Sequence, residues 1–290
     1  MGIIISYSQI KNKLGEKLSG MSEGNVIAFD PTSKLRKFVY KEYKARTGDN
    51  NRFQCLYDLV SFTNSLSPKS REILRYYCAL PLRLVVDDTT RSQLLGVIMS
   101  RFSGNYLCKG PITNGMDAKL DLYLCKNNKV KNDYGLRPLT QEDRKRIAVR
   151  CASFINFLHK NGFVYGDLSF NNILIHLARH TPLFIDCDGI ASMRRGIGYM
   201  RQGHTGDWLP PEGFVPCTTQ TDSYKLALLI TRLFDVSEYP RQARIWSTSA
   251  EAGITSAFGK DALKIIHQAG NEKPDERPTA EEIFSAIYKK

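Results

Sequence analysis

The fold predicted for this chain rests on one stretch, which reads FVYGDLSFNNILI over residues 163–175 and LFIDCDG over residues 183–189. Asp167 is followed five positions later by Asn172 and then by an apolar triplet, and a second apolar run ends directly before Asp186. Short apolar runs separated by a polar break are typical of buried strands. The stretch therefore predicts a hairpin that carries three oxygen-bearing side chains at one end.

These three side chains suit phosphoryl transfer with magnesium. Transfer of a γ-phosphoryl group depends on positioning and on cationic charge more than on covalent chemistry from the protein. We assign Asp167 as the base that faces the acceptor hydroxyl. We assign Asn172 and Asp186 as the magnesium ligands, because Mg²⁺ prefers hard oxygen donors. An Asp and an Asn at this spacing also occur as turn-capping residues, so the rest of the chain has to support the assignment.

Asp-Leu-x-x-x-Asn, a strand and then Ile-Asp-x-Asp-Gly together resemble the catalytic loop and metal-binding turn of the protein-kinase-like superfamily. Tyr165 and Gly166 stand where that family usually has His-Arg, and Cys187 and Asp188 precede the Gly where Phe is expected. Asp188 is a further candidate to assist the metal. A Gly before the catalytic Asp also occurs in aminoglycoside and choline phosphotransferases, so the loop alone leaves the substrate class open.

The resemblance implies an α+β protein with the two-lobed protein-kinase-like fold. Residues 1–102 would form a nucleotide-binding lobe built on a small antiparallel β-sheet. Residues 103–290 would form a mainly helical lobe for catalysis and substrate binding. The cofactors implied are ATP and Mg²⁺.

Residues 13–45 alternate apolar and polar side chains around a glycine-containing break, which predicts three antiparallel strands. Glycines in such a turn let backbone N–H groups approach phosphates. The break partly resembles the kinase glycine-rich loop, with Gly20, Gly24 and Val26 beside the nucleotide. An ordinary hairpin turn is the alternative.

In the third of these strands, the resemblance places Val39 on the adenine and Lys41 on the α- and β-phosphates. The kinase lysine pairs with a Glu on the following helix. The helix predicted at residues 52–66 contains no Glu. The partner of Lys41 therefore stays open between Asp58, Glu72 and neither.

Two more strands are predicted at residues 82–86 and 94–99. In the kinase frame the second strand leads into the hinge between the lobes. Met99 resembles the gatekeeper residue there, and adenine would bond the main chain around Ser100 and Phe102.

The larger lobe begins with residues 108–138, which are polar and predict a loop with a short helix near residues 120–124. Thr140 and Asp143 then form a capping-box pattern at the start of a long helix that Gly162 ends. The apolar stripe of that helix predicts a core face.

Three later features favour a protein kinase over a small-molecule phosphotransferase. Residues 190–211 resemble an activation segment. Pro-Pro-Glu212 resembles the motif whose Glu binds a distant Arg, here Arg277. Asp222 resembles the residue that holds the backbone of the catalytic loop, although an N-capping Asp on a buried helix is the generic alternative.

Composition limits the remaining possibilities. The net charge of +12 and the pI near 9.3 favour an acidic partner, such as an acidic protein substrate, and nucleic-acid binding is the less favoured interpretation. Seven widely spaced cysteines without Cys-x-x-Cys predict reduced thiols and a cytoplasmic location. No apolar run approaches the roughly 18 residues of a membrane span. Gly2 lies in a myristoylation-like pattern, but three consecutive isoleucines more simply indicate a strand.

The sequence thus predicts a Ser/Thr protein kinase that uses ATP and Mg²⁺. Two alternatives remain. An ATP-binding scaffold without activity would explain the irregular glycine-rich loop, and a small-molecule kinase would explain Gly166. The physiological substrate and the oligomeric state are not predicted.

Overall fold

The computed structural model describes residues 2–20, 24–44, 50–125, 127–200, 202–203, 205–214, 216–235 and 247–288. The α+β class predicted from the sequence is confirmed. The chain divides into two compact units. The N-terminal unit comprises Met1–Phe102 together with Asp186–Arg201, and the C-terminal unit comprises Ser103–Ile185 and Gln202–Lys290. The division predicted at residue 102 therefore differs in one respect, because residues 186–201 group with the N-terminal unit.

The N-terminal unit contains strands and short helices that follow the predicted order closely. Its helices are α1 (Ser8–Lys11), α2 (Asn50–Ser65) and α3 (Pro68–Arg75). Its strands are β1 (Ile4–Ser6), β2 (Leu14–Gly20), β3 (Gly24–Phe29), β4 (Phe38–Tyr43), β5 (Pro81–Val86) and β6 (Leu94–Ser100). These bounds confirm the strands predicted within residues 13–45, 82–86 and 94–99 and the helix predicted at residues 52–66.

Among the described residues, six strands form one sheet in the order β1-β5-β6-β4-β3-β2. The sheet is mixed, so the prediction of an antiparallel sheet is corrected. All neighbours pair antiparallel except β1 and β5, which run parallel with Ile4 opposite Leu84 and Ser6 opposite Val86. The isoleucine-rich start of the chain thus covers the edge of β5, whose backbone groups would otherwise be unpaired.

Strand β4 has buried side chains on both faces of the sheet. Tyr40 is fully buried in a cluster with Ile10, Phe29, Val85 and Ile98 on one face. Because side chains alternate along a strand, its neighbours Val39 and Lys41 point to the other face. Lys41 is buried there, so it requires a compensating negative charge.

The C-terminal unit is mainly helical. In chain order its elements are α4 (Leu120–Tyr123), α5 (Asn128–Tyr134), α6 (Gln141–Lys160), β7 (Phe163–Val164), β8 (Ile173–Ile175), β9 (Pro182–Phe184), α7 (Thr219–Phe234), α8 (Thr248–Phe258), α9 (Lys260–Ala269) and α10 (Ala280–Ile287). The short strand β10 (Ala191–Ser192) belongs to the N-terminal unit. The predicted hairpin is confirmed, since β8 and β9 pair antiparallel with Ile173 opposite Phe184.

Helix α6 is the predicted core helix of this unit. Its apolar stripe is completely buried, as predicted, at Ile147, Cys151, Ile155 and Leu158. Helix α5 was not predicted. Its sequence is Asn- and Lys-rich, and its ends come from an Asn127 cap and from Gly135, which adopts a left-handed φ of 65°.

The capping box at the start of α6 is confirmed and has a buried extension. The Asp143 carboxylate accepts hydrogen bonds from the Thr140 backbone at 3.0 Å and from the Thr140 hydroxyl at 2.8 Å. His180 Nδ1 lies 2.8 Å from the same oxygen. Burial acts to raise the pKa of Asp143, but the hydrogen bonds from His180 and Thr140 outweigh burial and lower the pKa to about 2.

This carboxylate makes the stability of the C-terminal unit dependent on acid pH. A lowered folded-state pKa stabilises the protein above the ordinary carboxyl pKa of about 3.9, and this contribution is lost as the pH falls towards the folded-state pKa. We expect Asp143→Asn to lower the free energy of unfolding by roughly 2 kcal/mol at pH 7. The variant should also lose less of its stability between neutral pH and about pH 2 than the wild type does.

Denaturant titrations over this pH range measure the effect. Glu282→Gln is the matched control, because Glu282 forms an exposed capping box with Thr279 at the start of α10. This substitution should cost less than the loss of a whole cap, about 1 kcal/mol, because a Gln side chain can still accept the Thr279 N–H. Equal losses for the two substitutions would contradict a special role for the buried pair of Asp143 and His180.

Candidate active site

The loop that contains Asp167 is fixed by one buried carboxylate. Asp222, in the first turn of α7, accepts hydrogen bonds from the backbone N–H groups of Tyr165 and Gly166, each at 2.8 Å. The side chain of Asp222 is fully buried. The prediction that Asp222 holds this backbone is confirmed. The alternative of an N-capping role is wrong, because Thr218 caps α7.

Gly166 is required by the shape of this loop. Its φ is +80°, a left-handed conformation that favours glycine. A Cβ atom built on it would lie 2.3 Å from the side-chain nitrogen of Gln202. The Gln202 side chain donates to the carbonyl groups of Val164 and Tyr165 at 3.3 Å. The buried Lys225 ammonium donates to the Gly166 carbonyl at 2.7 Å.

The loop brings Asp167 and Asn172 together, as the sequence predicts. The Asn172 side-chain NH₂ donates to Asp167 Oδ2 at 2.9 Å and to the Asp167 carbonyl at 2.8 Å. Its side-chain oxygen accepts no hydrogen bond from any residue that the structure describes, so this oxygen is available to a cation. The Asn172 carbonyl accepts from Ile185 N–H at 2.9 Å, which ties the loop to the residue directly after β9.

Thr205 is a contact of Asp167 that sequence reasoning missed. Its hydroxyl and its backbone N–H both donate to Asp167 Oδ1, at 3.0 and 3.1 Å. The two residues are 38 positions apart, so no local motif reveals the contact. The hydroxyl shows directly that Asp167 accepts a hydrogen bond from an alcohol.

In the N-terminal unit, Lys41 binds two carboxylates. Its ammonium lies 2.7 Å from Asp188 and 3.1 Å from Asp186. Burial acts to lower the pKa of Lys41, but the charges of Asp188 and Asp186 outweigh burial and raise the pKa. Neither of the partners that the sequence left open makes this contact. Asp58 binds Arg195 at 2.8 Å, and Glu72 is exposed on α3.

Asp188 is the most highly connected of these groups. Besides Lys41, it accepts hydrogen bonds from the Tyr43 hydroxyl at 2.9 Å and from the Arg52 guanidinium at 3.0 Å. Arg52 lies on α2 and stacks over the Tyr43 ring at 4.2 Å. Burial acts to raise the pKa of Asp188, but the charges of Lys41 and Arg52 outweigh burial and lower it. Helix α2, which contains no Glu in the predicted range, thus contributes the Arg52 cation to the ion pair of Lys41 and Asp188.

The residues present fit magnesium bound together with phosphates. Among the described residues there is no group of three or more His, Cys, Asp or Glu side chains arranged to hold a metal alone. Mg²⁺ usually takes one or two protein carboxylates and completes its shell with phosphates and water. Asp186 meets this requirement, since its side chain is about a third exposed. Its backbone is left-handed, with φ 53°, so it is a local conformational outlier.

Four of the predicted nucleotide contacts share one face of the sheet. Val26 lies opposite Lys41, and Val39 lies opposite Met99. Opposite residues in a pair of strands share a face, and so do residues two apart on one strand. The structure therefore groups these four side chains with the buried ion pairs.

The remaining predicted nucleotide contacts are described only in part. Gly20 ends β2 and Gly24 begins β3, and residues 21–23 of the glycine-containing turn lie outside the described residues. A Cβ atom on Gly24 would lie 2.4 Å from the Glu42 carbonyl, so close strand pairing explains this glycine. Ser100 is the last residue of β6 and lies opposite Phe38. Phe102 comes two residues later and ends the first of the two segments that form the N-terminal unit.

The predicted bond between Glu212 and Arg277 is confirmed. The guanidinium donates to both carboxylate oxygens, at 2.8 and 2.6 Å. Arg277 also lies over the Tyr224 ring at 4.9 Å. This bidentate pair ties the chain after residue 211 to the C-terminal helices.

Comparisons with known proteins leave the family open. Neither the protein-family models nor the curated protein sequences match this chain. Within the residues that the structure describes, no helix has the length and apolar character needed to cross a bilayer.

Substitution of Asp222 tests whether one carboxylate fixes the loop. We expect Asp222→Ala to leave two buried N–H donors unpaired, at a cost of about 1–3 kcal/mol for each. Amide hydrogen exchange at Tyr165 and Gly166 should accelerate by roughly tenfold or more. Asp261→Ala removes an exposed carboxylate from the first turn of α9 and serves as the control. Unchanged exchange in Asp222→Ala would show that the loop is held by other contacts.

Two Asp–Arg pairs of the N-terminal unit allow a matched comparison. Asp188→Ala removes a partner of the buried Lys41 and of the half-buried Arg52, and it should lower the free energy of unfolding by about 3 kcal/mol or more. Asp58→Ala breaks the more exposed pair with Arg195 and should cost about 1 kcal/mol or less. Urea titrations of both variants measure the difference. Similar losses would refute the central role of Asp188.

Proposed function

We propose that this chain is an ATP- and Mg²⁺-dependent protein kinase, with the two-lobed protein-kinase-like architecture, that phosphorylates Ser or Thr hydroxyls. The observation that carries the proposal is the environment of Asp167. This carboxylate accepts hydrogen bonds from a threonine hydroxyl and from Asn172 on a loop fixed by Asp222. Such an environment suits a base that orients an alcohol for phosphoryl transfer.

Asp167 would bind the acceptor hydroxyl and take its proton as the new P–O bond forms. The hydroxyl of Thr205 lies 3.0 Å from Asp167 Oδ1, a distance within the range needed for general base catalysis. The acceptor hydroxyl would donate to Asp167 Oδ1, either in place of the Thr205 hydroxyl or together with it. Asn172 keeps Asp167 in place through its NH₂ group.

The side-chain oxygens of Asn172 and Asp186 would hold Mg²⁺, which supplies positive charge to the phosphates when bound. Lys41 would bind the phosphates of the nucleotide. Its two ion pairs support this role, because they hold the ammonium charged and orient it. Asp188 would position Lys41 rather than bind metal, since Lys41, Tyr43 and Arg52 already occupy its two oxygens.

A protein substrate is favoured by features outside the loop. The bidentate pair of Glu212 and Arg277 and the hydrogen bonds from the loop to Asp222 are features that resemble protein kinases more than small-molecule phosphotransferases. Arg194 lies in the segment after Asp186 and is exposed. It supports the preference for an acidic substrate. Arg201, which shares that basic segment, lies outside the described residues.

A comparison of phosphate transfer by the wild type and by Asp167→Asn tests the proposal. We expect the wild type with labelled ATP and Mg²⁺ to phosphorylate Ser or Thr in an acidic protein in preference to a basic one. Asp167→Asn should lower turnover by about 100-fold or more, because it removes the base. ATP binding, followed by thermal shift, should be unchanged. Asp275→Asn, an exposed carboxamide substitution in the same unit, is the control.

Three outcomes would contradict the proposal in different ways. Nucleotide binding by the wild type without transfer, even to itself, would indicate a scaffold. Turnover on aminoglycosides, sugars or choline, with none on protein, would indicate a small-molecule kinase. Turnover of Asp167→Asn within about twofold of the wild type would remove Asp167 from the base role.

Gly166 makes a separate prediction about regulation. Kinases that require a phosphorylated activation segment use the Arg before the catalytic Asp to bind the phosphate. Here that position is Gly, and the neutral Gln202 occupies the space where a side chain on Gly166 would project. We expect full activity without phosphorylation of residues 190–211. Phosphatase treatment followed by an activity assay checks this, and a loss of activity would contradict it.

A further inference from the structure

The N-terminal unit contains a cavity that has no part in the proposed phosphoryl transfer. Its volume is about 480 Å³, within the range of roughly 300–1,000 Å³ found for small-molecule sites. Residues from α2, α3 and four strands of the sheet line it. Its wall is largely apolar, with contributions from Ile5, Phe38, Leu74, Leu80 and Ile98.

Among the described residues, the charged side chains that line this cavity are all positive. They are Arg71, Arg75 and Arg83, and no described Asp or Glu lines it. Arg71 and Arg75 form no ion pair with any residue in the described part of the chain. They are four residues apart on α3, so they lie on the same face of the helix and repel each other. An anion bound between them would relieve this repulsion.

The cavity is separate from the predicted nucleotide contacts. Met99 belongs to the nucleotide face of β6, and side chains alternate along a strand, so Ile98 and Ser100 point to the opposite face. Ser100 is the only one of the predicted nucleotide residues that lines the cavity, and its predicted adenine contact uses the main chain. Lys41, Asp186 and Asp188 do not line it.

We propose that this cavity binds a small amphipathic carboxylate. The apolar body of the ligand would lie against Phe38, Leu74 and Ile98. The carboxylate would bind the guanidinium groups of Arg71 and Arg75, whose planar donors match its two oxygens. A polyanion such as a nucleotide fits less well, because the apolar wall would have to desolvate its additional charges.

Calorimetry with three ligands of the same chain length tests the inference on the full chain. Decanoate, decanol and decylammonium, each below its aggregation concentration, differ only in the head group. We expect decanoate to bind the wild type at least about tenfold more tightly than decanol, with no detectable binding of decylammonium. Arg71→Ala combined with Arg75→Ala should weaken decanoate binding by about tenfold or more.

Two variants separate a specific site from general hydrophobic binding. Lys69→Ala removes an exposed cation from the same helix outside the cavity and should leave decanoate affinity unchanged. Arg71→Glu combined with Arg75→Glu should reverse the preference towards decylammonium, a result that unfolding cannot produce. Equal affinity of the wild type for decanoate and decanol, or no binding of either, would overturn the proposal. So would an unchanged preference in the folded Glu variant.

Discussion

One buried carboxylate determines the shape of the candidate catalytic loop. Asp222 accepts the N–H groups of two successive residues, Tyr165 and Gly166, and lies 3.0 Å from His159 Nε2. A carboxylate removed from water needs several donors, and a backbone that bends at a left-handed glycine can present two of them at once. Asp167 is the next residue along the chain, so its position follows directly from this bend.

In the N-terminal unit, buried charged side chains are compensated by ion pairs. Lys41 is held on a buried face of the sheet by Asp186 and Asp188, and Arg52 balances the second negative charge. The two carboxylates and the two cations compensate each other's charge, which offsets the cost of burying Lys41 and Asp188. A carboxylate on the helix is unnecessary when the turn after Asp186 supplies one and the helix supplies the cation.

The sequence predicted the features that depend on local spacing or on a motif of the kinase pattern. The hairpin, the apolar stripe of α6, the capping box of Asp143, the contact of Asp222 and the pair of Glu212 with Arg277 all follow from short motifs or from a family pattern. The first three depend on spacing within one segment. The contact of Asp222 and the pair of Glu212 with Arg277 join distant segments and follow from the family pattern.

Contacts between distant segments that no motif marks were not predicted. Thr205 beside Asp167 and Arg52 beside Asp188 involve separations of 38 and 136 residues, and neither position belongs to a periodic pattern. The kinase resemblance predicts the partner of Lys41 on a helix, whereas Lys41 pairs with Asp186 and Asp188 in the turn after β9. The parallel pairing of β1 with β5 was missed for a related reason. Three isoleucines indicate a strand but do not indicate which edge it covers.

The proposed function requires Asn172 and Asp186 to bind the same metal–nucleotide complex. Paramagnetic relaxation by Mn²⁺ in place of Mg²⁺ measures this directly, because Mn²⁺ broadens the NMR signals of nearby amides. We expect Mn²⁺ with ATP to broaden the amides around Asn172 and around Asp186 over the same concentration range, and Asp186→Ala to weaken both effects. Broadening at only one of these positions, or at neither, would contradict phosphoryl transfer by this chain.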